Sequence, residues 1–229
     1  MTNIAIITPI YADYPQAWVS CIFDCMARAS SVGIKFGIVS PCGNSNITSA
    51  RNLCIQQVYC HEQENKAKYD YLMWIDSDIV FKLENIVRLL SHKKDIICGL
   101  YFAKSPPHFA VAGFYDLDKI CNGFPKLTKE QIESKQVVEV DWAGCGFLLM
   151  KREIIEKMEY PWFDMRVIDL KKPEERSGGF KIKKEILSED ISFCTKMKEV
   201  GYKIFADTSI LLKHSGTTNY SVNHFLAVN

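Results

Sequence analysis

The chain lacks the features that mark membrane, secreted and nucleic-acid-binding proteins. No stretch approaches the ~18 consecutive apolar residues of a transmembrane helix, and no basic segment precedes the apolar residues near the N-terminus. Lysine and arginine number 28 against 27 acidic residues, so the composition indicates no basic surface for nucleic acid. We therefore expect a cytoplasmic monomer with no membrane anchor and no nucleic-acid partner.

The chain also lacks paired cysteines. Its nine cysteines are an odd number and form no C-x-x-C motif, and Cys60-His61 has no second pair nearby to complete a zinc site. This spacing predicts buried free thiols in a reducing compartment, at Cys21, Cys25, Cys42, Cys54, Cys60, Cys98, Cys121, Cys145 and Cys194.

The 229 residues, of which 48% are hydrophobic, are enough for one well-packed domain. In the first half, apolar runs alternate with helical periodicity, which predicts an α/β fold with a central, mostly parallel mixed sheet flanked by helices. The expected strands are 3–8, 35–40, 71–75 and 95–102, and the expected helices are 16–31, one capped by Thr48 or Ser49 with Leu53 and Gln57 on its buried face, and 83–91.

The second half is less regular. Its pattern predicts strands at 137–141, 147–150, 202–206 and 209–212, a helix over 152–158, and a helix that Ser188 caps and Gly201 ends. The polar stretch 165–185 reads as a long cationic loop, either a lid that closes over phosphates or a solvated face. Gly144 and Gly146 allow close approach of the backbone to a ligand or a neighbouring element, or form a bulge.

Asp76 and Asp78 follow the apolar run 71–75, which reads as a strand buried on both faces. Ligands bind at the carboxyl edge of such a sheet, and in extended chain two carboxylates two positions apart point to one side. Paired hard oxygen ligands suit Mg²⁺ or Mn²⁺. A turn or a helix cap explains the same two aspartates equally well.

Three further polar residues could take part in a site. Glu189 and Asp190 fall in the first turn of the helix that Ser188 caps, where acidic residues complement the helix dipole. We expect the dipole to keep Asp190 ionised and to lower its basicity. His214 follows an apolar strand and precedes Gly216, as a ligand at a sheet edge would, although a single histidine is more often structural or on the surface.

Six short motifs occur in a fixed order along the chain. They are Thr8-Pro9, Ala50-Arg51-Asn52, Asp76-Ser77-Asp78, Ala143-Gly144-Cys145-Gly146, Glu189-Asp190 and His214-Ser215-Gly216. In this order they resemble the GT-A nucleotide-sugar glycosyltransferases, above all the family 2-like branch, and also the capsid-glycosylating enzymes of large algal DNA viruses. The resemblance spans residues 3–216, and the order of the motifs is more specific than any one of them.

The resemblance implies a single GT-A (Rossmann-like) domain over 1–229, with a nucleotide-binding half at 1–103 and an acceptor-binding half at 104–229. It implies a Mn²⁺- or Mg²⁺-dependent glycosyltransferase that moves a hexose from a UDP-sugar, such as UDP-glucose, to a hydroxyl of a glycan or glycoprotein. If the protein is viral, the host cytoplasm is the expected compartment.

The resemblance also assigns roles to individual residues. Asp78 and His214 would bind the metal, and Asp76 would hold the metal's water shell or the ribose. Asp190 would act as general base with Glu189 beside it. The nucleotide pocket would be formed by Thr8, Pro9, Tyr11, Arg51, Asp76, Ser77 and Asp78.

Other functions remain open at the level of sequence. Similar enzymes often read uracil with an acidic pair after the second strand, whereas this chain has Ser40-Pro41-Cys42-Gly43-Asn44, which leaves the nucleotide undecided. A sugar nucleotidyltransferase would need a Gly-rich, Arg-containing loop after the first strand, where this chain has Pro9-Ile10-Tyr11-Ala12-Asp13. A non-catalytic carbohydrate-binding domain would need no metal, and a two-metal nuclease would need a basic groove. The motifs do not decide between inverting and retaining transfer.

Overall fold

The computed structural model describes residues 1–106, 108–116, 124–176, 179–216 and 219–220. The first half consists of β1 (Thr2–Ile7), α1 (Gln16–Arg28), β2 (Ile34–Val39), α2 (Ile47–Asn65), β3 (Tyr71–Ile75), β4 (Ile79–Val80), α3 (Leu83–Ser91) and β5 (Ile96–Leu100), with a 3₁₀ turn, Ala29–Val32, after α1. The second half consists of β6 (Ala112–Gly113), α4 (Lys129–Glu133), β7 (Val137–Val140), β8 (Trp142–Ala143), β9 (Phe147–Lys151), a 3₁₀ helix (Arg152–Lys157), β10 (Val167–Arg176), β11 (Phe180–Ile186), α5 (Glu189–Glu199), β12 (Ile204–Leu211), β13 (Lys213–Ser215) and β14 (Asn219–Tyr220). Within the described residues, no helix combines the length and apolarity needed to cross a bilayer.

A seven-stranded sheet in the order β2-β1-β3-β9-β5-β12-β7 forms the centre of the molecule. Strands β2, β1, β3, β5 and β12 run in one direction, and β9 and β7 run in the other. The predicted mostly parallel mixed sheet is therefore confirmed. Its long crossovers require helices, because parallel strands cannot be joined by tight turns.

Helices cover both faces of this sheet. On one face α2 and α5 pack on Leu72 and Trp74, and on the other α1 and α3 pack on Met73 and Ile75. These four residues of β3 are fully buried, so the prediction of a strand apolar on both faces is confirmed.

The start of α2 differs from the prediction. Asn46, not Thr48 or Ser49, is the N-cap, and its side chain accepts the Ser49 N–H at 2.9 Å. Leu53 and Gln57 are only half-buried, because the helix turns other residues inward. Asn52 is one of these, and its side chain bonds both the backbone N–H and the carbonyl of Phe163, at 3.1 and 2.7 Å.

Two predictions for the second half are wrong, and a third is confirmed as a helix but with a different helix type. The described part of 165–185 is not a loop, because it forms the antiparallel hairpin β10–β11. Phe180 and Ile182 alternate with lysines as in a strand, but the many charged residues around them made the segment resemble a loop in the sequence. The helix over 152–158 is a 3₁₀ helix. Strands 202–206 and 209–212 are one strand, β12, whose pairing with β5 shifts register after Asp207. The buried Asp207 side chain is bonded by Arg88, His92 and Ser209.

The cysteines follow the prediction only in part. Cys25, Cys54, Cys98, Cys145 and Cys194 are buried free thiols, Cys21 is half-buried, and Cys121 lies outside the described residues. Cys42 and Cys60 are exposed, because they lie on a surface turn and on the outer face of α2. Burial raises the pKa of Cys25 and of Cys54 to about 12, so both thiols stay protonated at neutral pH.

Candidate active site

Four strands that run in the same direction bring polar residues to one edge of the sheet. Thr8 follows β1, Asp76 follows β3, Lys104 lies four residues after β5, and His214 follows β12 within β13. Residues after the carboxyl ends of same-direction strands gather at one edge, which is where open α/β sheets bind ligands. The second turn of α2 adds Arg51 to these residues, and the first turn of α5 adds Asp190.

Asp76 and Asp78 stand in a tight turn rather than in extended chain. The Ile79 N–H donates to the Asp76 carbonyl at 3.1 Å, because the chain must leave β3 and enter β4, which pairs with β13. The expected extended geometry is therefore wrong, although both side chains border the same cavity. Asp76 contacts Arg51, whereas Asp78 contacts His214 and Lys104.

Arg51 lies at the centre of three carboxylates. Its guanidinium is 3.2 Å from Asp76 Oδ1, 3.7 Å from Glu189 Oε1 and 3.4 Å from Asp190 Oδ1, and its side chain is only 3% exposed. It also lies 5.8 Å from the ring centroids of both Trp74 and Phe163. Burial opposes its charge, but the carboxylates outweigh burial, so the pKa of Arg51 is well above its usual value and the side chain stays cationic.

Asp190 is more basic than its place at a helix N-terminus predicts. Burial, helped by Glu189 and Asp76, raises its pKa to about 6, although Arg51 and a hydrogen bond from the Cys145 thiol lower it. The expectation of lowered basicity is wrong, because desolvation outweighs the helix dipole at this site. Among the described residues, Asp190 Oδ1 has no hydrogen-bond donor.

Asp78 and His214 form the second part of the site. His214 Nε2 is 3.3 Å from Asp78 Oδ2, and its Nδ1 is 2.8 Å from the Phe102 carbonyl. A hydrogen bond from Nδ1–H to that carbonyl leaves Nε2 free to act as a ligand, an arrangement common among metal-binding histidines. Burial opposes ionisation of Asp78, but the neighbouring His214 and Lys104 side chains lower its pKa to about 2, so it stays a carboxylate.

A cavity of about 260 Å³ borders this turn. Pro9 and Tyr11 line it, together with Asp76, Ser77 and Asp78. Thr8 lies outside this lining and is fully buried, with its carbonyl accepting the Ser40 hydroxyl at 3.1 Å. Arg51 also lies outside the lining and reaches the cavity only through its contact with Asp76.

A second, larger cleft of about 580 Å³ includes Asp190 in its lining. Its walls come from β8, the β10–β11 hairpin and the segments around Phe109 and Phe124, and they are mainly aromatic and aliphatic. Trp142 and Phe180 contribute large rings. Sequence reasoning missed this cleft, because the only local signal is the alternation of Phe180 and Ile182 in a highly charged stretch.

The two glycines between β8 and β9 permit close packing against Tyr101. A Cβ on Gly144 would lie 2.1 Å from the Tyr101 hydroxyl, and one on Gly146 would lie 2.6 Å from the Tyr101 ring. The Gly146 N–H donates to that hydroxyl at 3.1 Å. Of the alternatives left open by the sequence, close approach to a neighbouring element is therefore the one found.

The cluster is suited to a divalent cation, although no complete metal site is formed in advance. Across the described ranges, no group of three or more His, Cys, Asp and Glu residues is close enough to hold one ion. Nevertheless, Asp76 Oδ1 and Asp78 Oδ1 are buried oxygens without a hydrogen-bond donor among those residues. Among the described residues, the four carboxylates Asp76, Asp78, Glu189 and Asp190 contact two permanently charged side chains, Arg51 and Lys104, and also His214, so carboxylates outnumber these cations in the cluster.

Comparison with known proteins identifies a solved structure with a similar fold. No family model matches the sequence, and no curated protein is a significant match. Among solved structures, the protein A197 from STIV matches with a TM-score of 0.56 and 18% identity, covering 94% of this chain and 86% of that chain. This match shows a shared fold.

Two glycosyltransferases are also among the solved structures that the chain matches. A Drosophila β1,4-galactosyltransferase 7 mutant, solved with manganese, UDP-Gal and xylobiose, has a TM-score of 0.42 and 12% identity over 95% of this chain and 72% of that chain. A glycosyltransferase involved in glycosylation of the major capsid of PBCV-1 has a TM-score of 0.33 and 13% identity over 69% and 68%. Similarity at this level concerns the fold alone, so the activity is argued from the site.

Proposed function

We propose that the protein is a Mn²⁺- or Mg²⁺-dependent glycosyltransferase that moves a hexose from a UDP-sugar to a hydroxyl of a glycan or glycoprotein. The observation that carries this proposal is the position of Arg51 between the two cavities. Its guanidinium contacts Asp76, which lines the smaller cavity, and Asp190, which lines the larger cleft. A transferase needs a donor site and an acceptor site that meet at one point, and this arrangement supplies both.

The smaller cavity is the proposed donor site. Pro9 and Tyr11 would contact the nucleotide, and the turn Asp76-Ser77-Asp78 would lie under its diphosphate. Asn44 and Ser45 also line this cavity and offer hydrogen-bonding groups to a base. We propose UDP because it is the nucleotide most often paired with a D-x-D turn in enzymes that this chain resembles. The cavity lining falls within 1–103, the proposed nucleotide-binding half.

Asp78 and His214 are the proposed cation ligands, and Asp76 would hold the ion's water shell. An ion of this type is commonly bound by one or two carboxylates together with waters and substrate phosphates, so a complete protein cage is not required. The bound cation would neutralise charge on the departing diphosphate. The charge imbalance among Asp76, Asp78, Glu189 and Asp190 supports this role.

The larger cleft is the proposed acceptor site. Aromatic walls such as Trp142 and Phe180 offer flat apolar surfaces to the C–H face of a sugar ring, and Asp190 at the end of the cleft would receive the reacting hydroxyl. Every residue that lines this cleft falls within 104–229, the proposed acceptor-binding half.

In the proposed reaction, Asp190 takes the proton from the acceptor hydroxyl as the oxygen forms its bond to the anomeric carbon. The bond between that carbon and the diphosphate breaks, and UDP leaves with the bonding electrons. Arg51 holds the Asp190 carboxylate, and the pKa of about 6 leaves it ionised yet basic at neutral pH. Direct displacement of this kind would invert the anomeric centre, and NMR of the product would show which anomer forms.

The proposal is tested by titrating UDP into the protein with and without Mn²⁺ in a calorimeter. We expect binding that depends on Mn²⁺ and is lost in Asp78→Asn. Asp95→Asn is the matched control, because Asp95 precedes β5 at the opposite edge of the sheet and pairs with Lys151 at 2.7 Å. Unchanged affinity in Asp78→Asn would refute the cation assignment.

Turnover needs a separate assay. UDP release from UDP-glucose should depend on an added glycan acceptor and should nearly vanish in Asp78→Asn. Binding of sugars without any Mn²⁺-dependent binding of UDP would favour a non-catalytic carbohydrate-binding domain. Release of pyrophosphate from UTP and a sugar phosphate would favour a nucleotidyltransferase.

A further inference from the structure

Lys104 forms an ion pair with Asp78, the carboxylate that we propose as a ligand of the divalent cation. Its Nζ lies 2.5 Å from Asp78 Oδ2, the same oxygen that is 3.3 Å from His214 Nε2. Lys104 lies on the segment between β5 and β6, and its side chain is 36% exposed, so it has access to the cavity edge from the solvent side. No motif in the sequence indicated this contact.

The ammonium group and a divalent cation cannot share this oxygen favourably. Two positive charges within a few ångströms of each other repel, and the repulsion is strong where water is partly excluded. The Asp78 side chain is 35% exposed, so water screens the two charges only in part. A cation that binds Asp78 must therefore displace Lys104.

The displaced lysine has a partner close by once the donor is present. Lysine is a compact positive charge with three N–H donors on a flexible four-carbon stem, and it is a common phosphate ligand. A diphosphate beside the Asp76-Ser77-Asp78 turn would carry more negative charge than a single divalent ion compensates. The carboxylates Asp76, Asp190 and Glu189 are already held by Arg51, so they do not compete for Lys104.

We propose that Lys104 is an exchangeable counter-ion: it holds Asp78 in the empty protein and moves to a phosphate oxygen of the donor when cation and nucleotide bind. This inference rests on the proposed function and extends it. Lys104 thereby excludes free cations while the donor is absent and adds affinity for the diphosphate when the donor is present.

The proposal makes two predictions of opposite sign for Lys104→Met. Affinity for Mn²⁺ alone should rise roughly threefold, because a partly exposed ion pair no longer competes for Asp78. Affinity for UDP at saturating Mn²⁺ should fall roughly tenfold, because a charged hydrogen bond to the diphosphate is lost. Lys104→Arg should retain most of the UDP affinity.

Calorimetric titration of Mn²⁺ alone and of UDP with Mn²⁺ measures both effects. Lys213→Met is the matched control: it removes an exposed lysine from β13, next to His214, and should change neither affinity. The thermal unfolding midpoint of each variant shows whether it is folded.

The outcomes separate this inference from the proposed function. If UDP affinity is the same in Lys104→Met and in the unmodified protein, the role of Lys104 is overturned while the proposed function stands. If affinity for Mn²⁺ alone does not rise, the competition for Asp78 is overturned. If the unmodified protein shows no Mn²⁺-dependent binding of UDP, both proposals fail together.

Discussion

At the scale of single residues, the proton transfer proposed for the site depends on Arg51 and Asp190. Arg51 stabilises the Asp190 carboxylate, but burial is the larger effect and raises the pKa of Asp190 to about 6. The group is therefore protonated below this pKa and ionised above it. A carboxylate with a pKa near the working pH is a more effective base than one with the usual value for aspartate.

A pH profile tests this assignment. Because only the ionised Asp190 accepts a proton, turnover at saturating donor should fall as the pH is lowered through about 6. The measurement is initial rate from about pH 5 to about pH 8. Asp78 has a pKa of about 2, so its ionisation does not change in this range. A flat profile across the whole range would contradict Asp190 as the base.

Substitution separates Asp190 from its neighbour Glu189. Asp190→Asn keeps the size of the side chain but removes the basic oxygen, so transfer should fall about 10²- to 10⁴-fold while UDP affinity stays close to normal. Glu189→Gln is the matched variant and should reduce transfer much less. The reverse order of the two effects would assign the base to Glu189.

At the scale of secondary-structure elements, the N-terminus of α2 positions Arg51. Asn46 caps this helix, and Asn44 supports the cap by accepting the Asn46 N–H at 3.0 Å. Arg51 lies in the second turn of α2, so its position depends on where the helix begins.

Removal of the Asn46 cap should lower the measured stability of the protein. Asn46→Ala should lower the free energy of unfolding by about 1 kcal/mol, because the Ser49 N–H loses its acceptor. Asn46→Asp keeps an acceptor and should have little effect. Urea denaturation monitored by circular dichroism provides the measurement, and equal stabilities for the two variants would contradict the capping role.

The β10–β11 hairpin contributes one wall of the proposed acceptor cleft. Phe180 lines this cleft and is 67% exposed. Because little of its surface is buried, replacing it should change the free energy of unfolding only slightly. Phe180→Ser should raise the KM for the acceptor several-fold and leave UDP affinity and the unfolding midpoint unchanged. Lys181→Ser alters the next residue, which is exposed and absent from the cleft lining, and should leave the KM unchanged.

At the scale of the whole molecule, a buried ion pair between Arg152 and Glu62 stabilises the packing of α2 at the edge of the sheet where the parallel strands begin. Arg152 Nε and Nη2 donate to the two carboxylate oxygens of Glu62 at 2.9 and 2.7 Å, and the two side chains are only 4% and 7% exposed. Glu62 also accepts the Tyr69 N–H at 3.0 Å. This bidentate pair ties α2 to the chain that follows β9, at the edge opposite the site.

Breaking this pair should destabilise the fold without altering the chemistry. Arg152→Met leaves the Glu62 charge buried, which should lower the free energy of unfolding by about 3–5 kcal/mol. Lys68→Met removes a 70%-exposed partner of Glu156 and should cost about 1 kcal/mol or less. Chemical denaturation compares the two variants, and UDP affinity of the folded Arg152→Met protein should be normal.

The sequence alone determined the elements whose signals are local. All five residues of β3 are apolar or aromatic, so the strand and its burial on two faces could be predicted, and the bounds of α3 and the Ser188 cap of α5 also follow from neighbouring residues. The motif order indicated a GT-A-like fold and placed Asp76, Asp78 and His214 after strands. The inferences about β3, α3 and the Ser188 cap each use residues within about one turn or one strand of each other, whereas the motif order compares segments along nearly the whole chain.

Only the tertiary structure decided which of these elements meet. Strand β9 lies between β3 and β5 and runs against both, Arg51 contacts carboxylates from two distant segments, and Lys104 reaches Asp78. The basicity of Asp190 is also a tertiary property, since burial opposes and outweighs the local helix dipole. The physical reason is that pairing and desolvation depend on how the whole chain buries its apolar faces, and no local pattern encodes that packing.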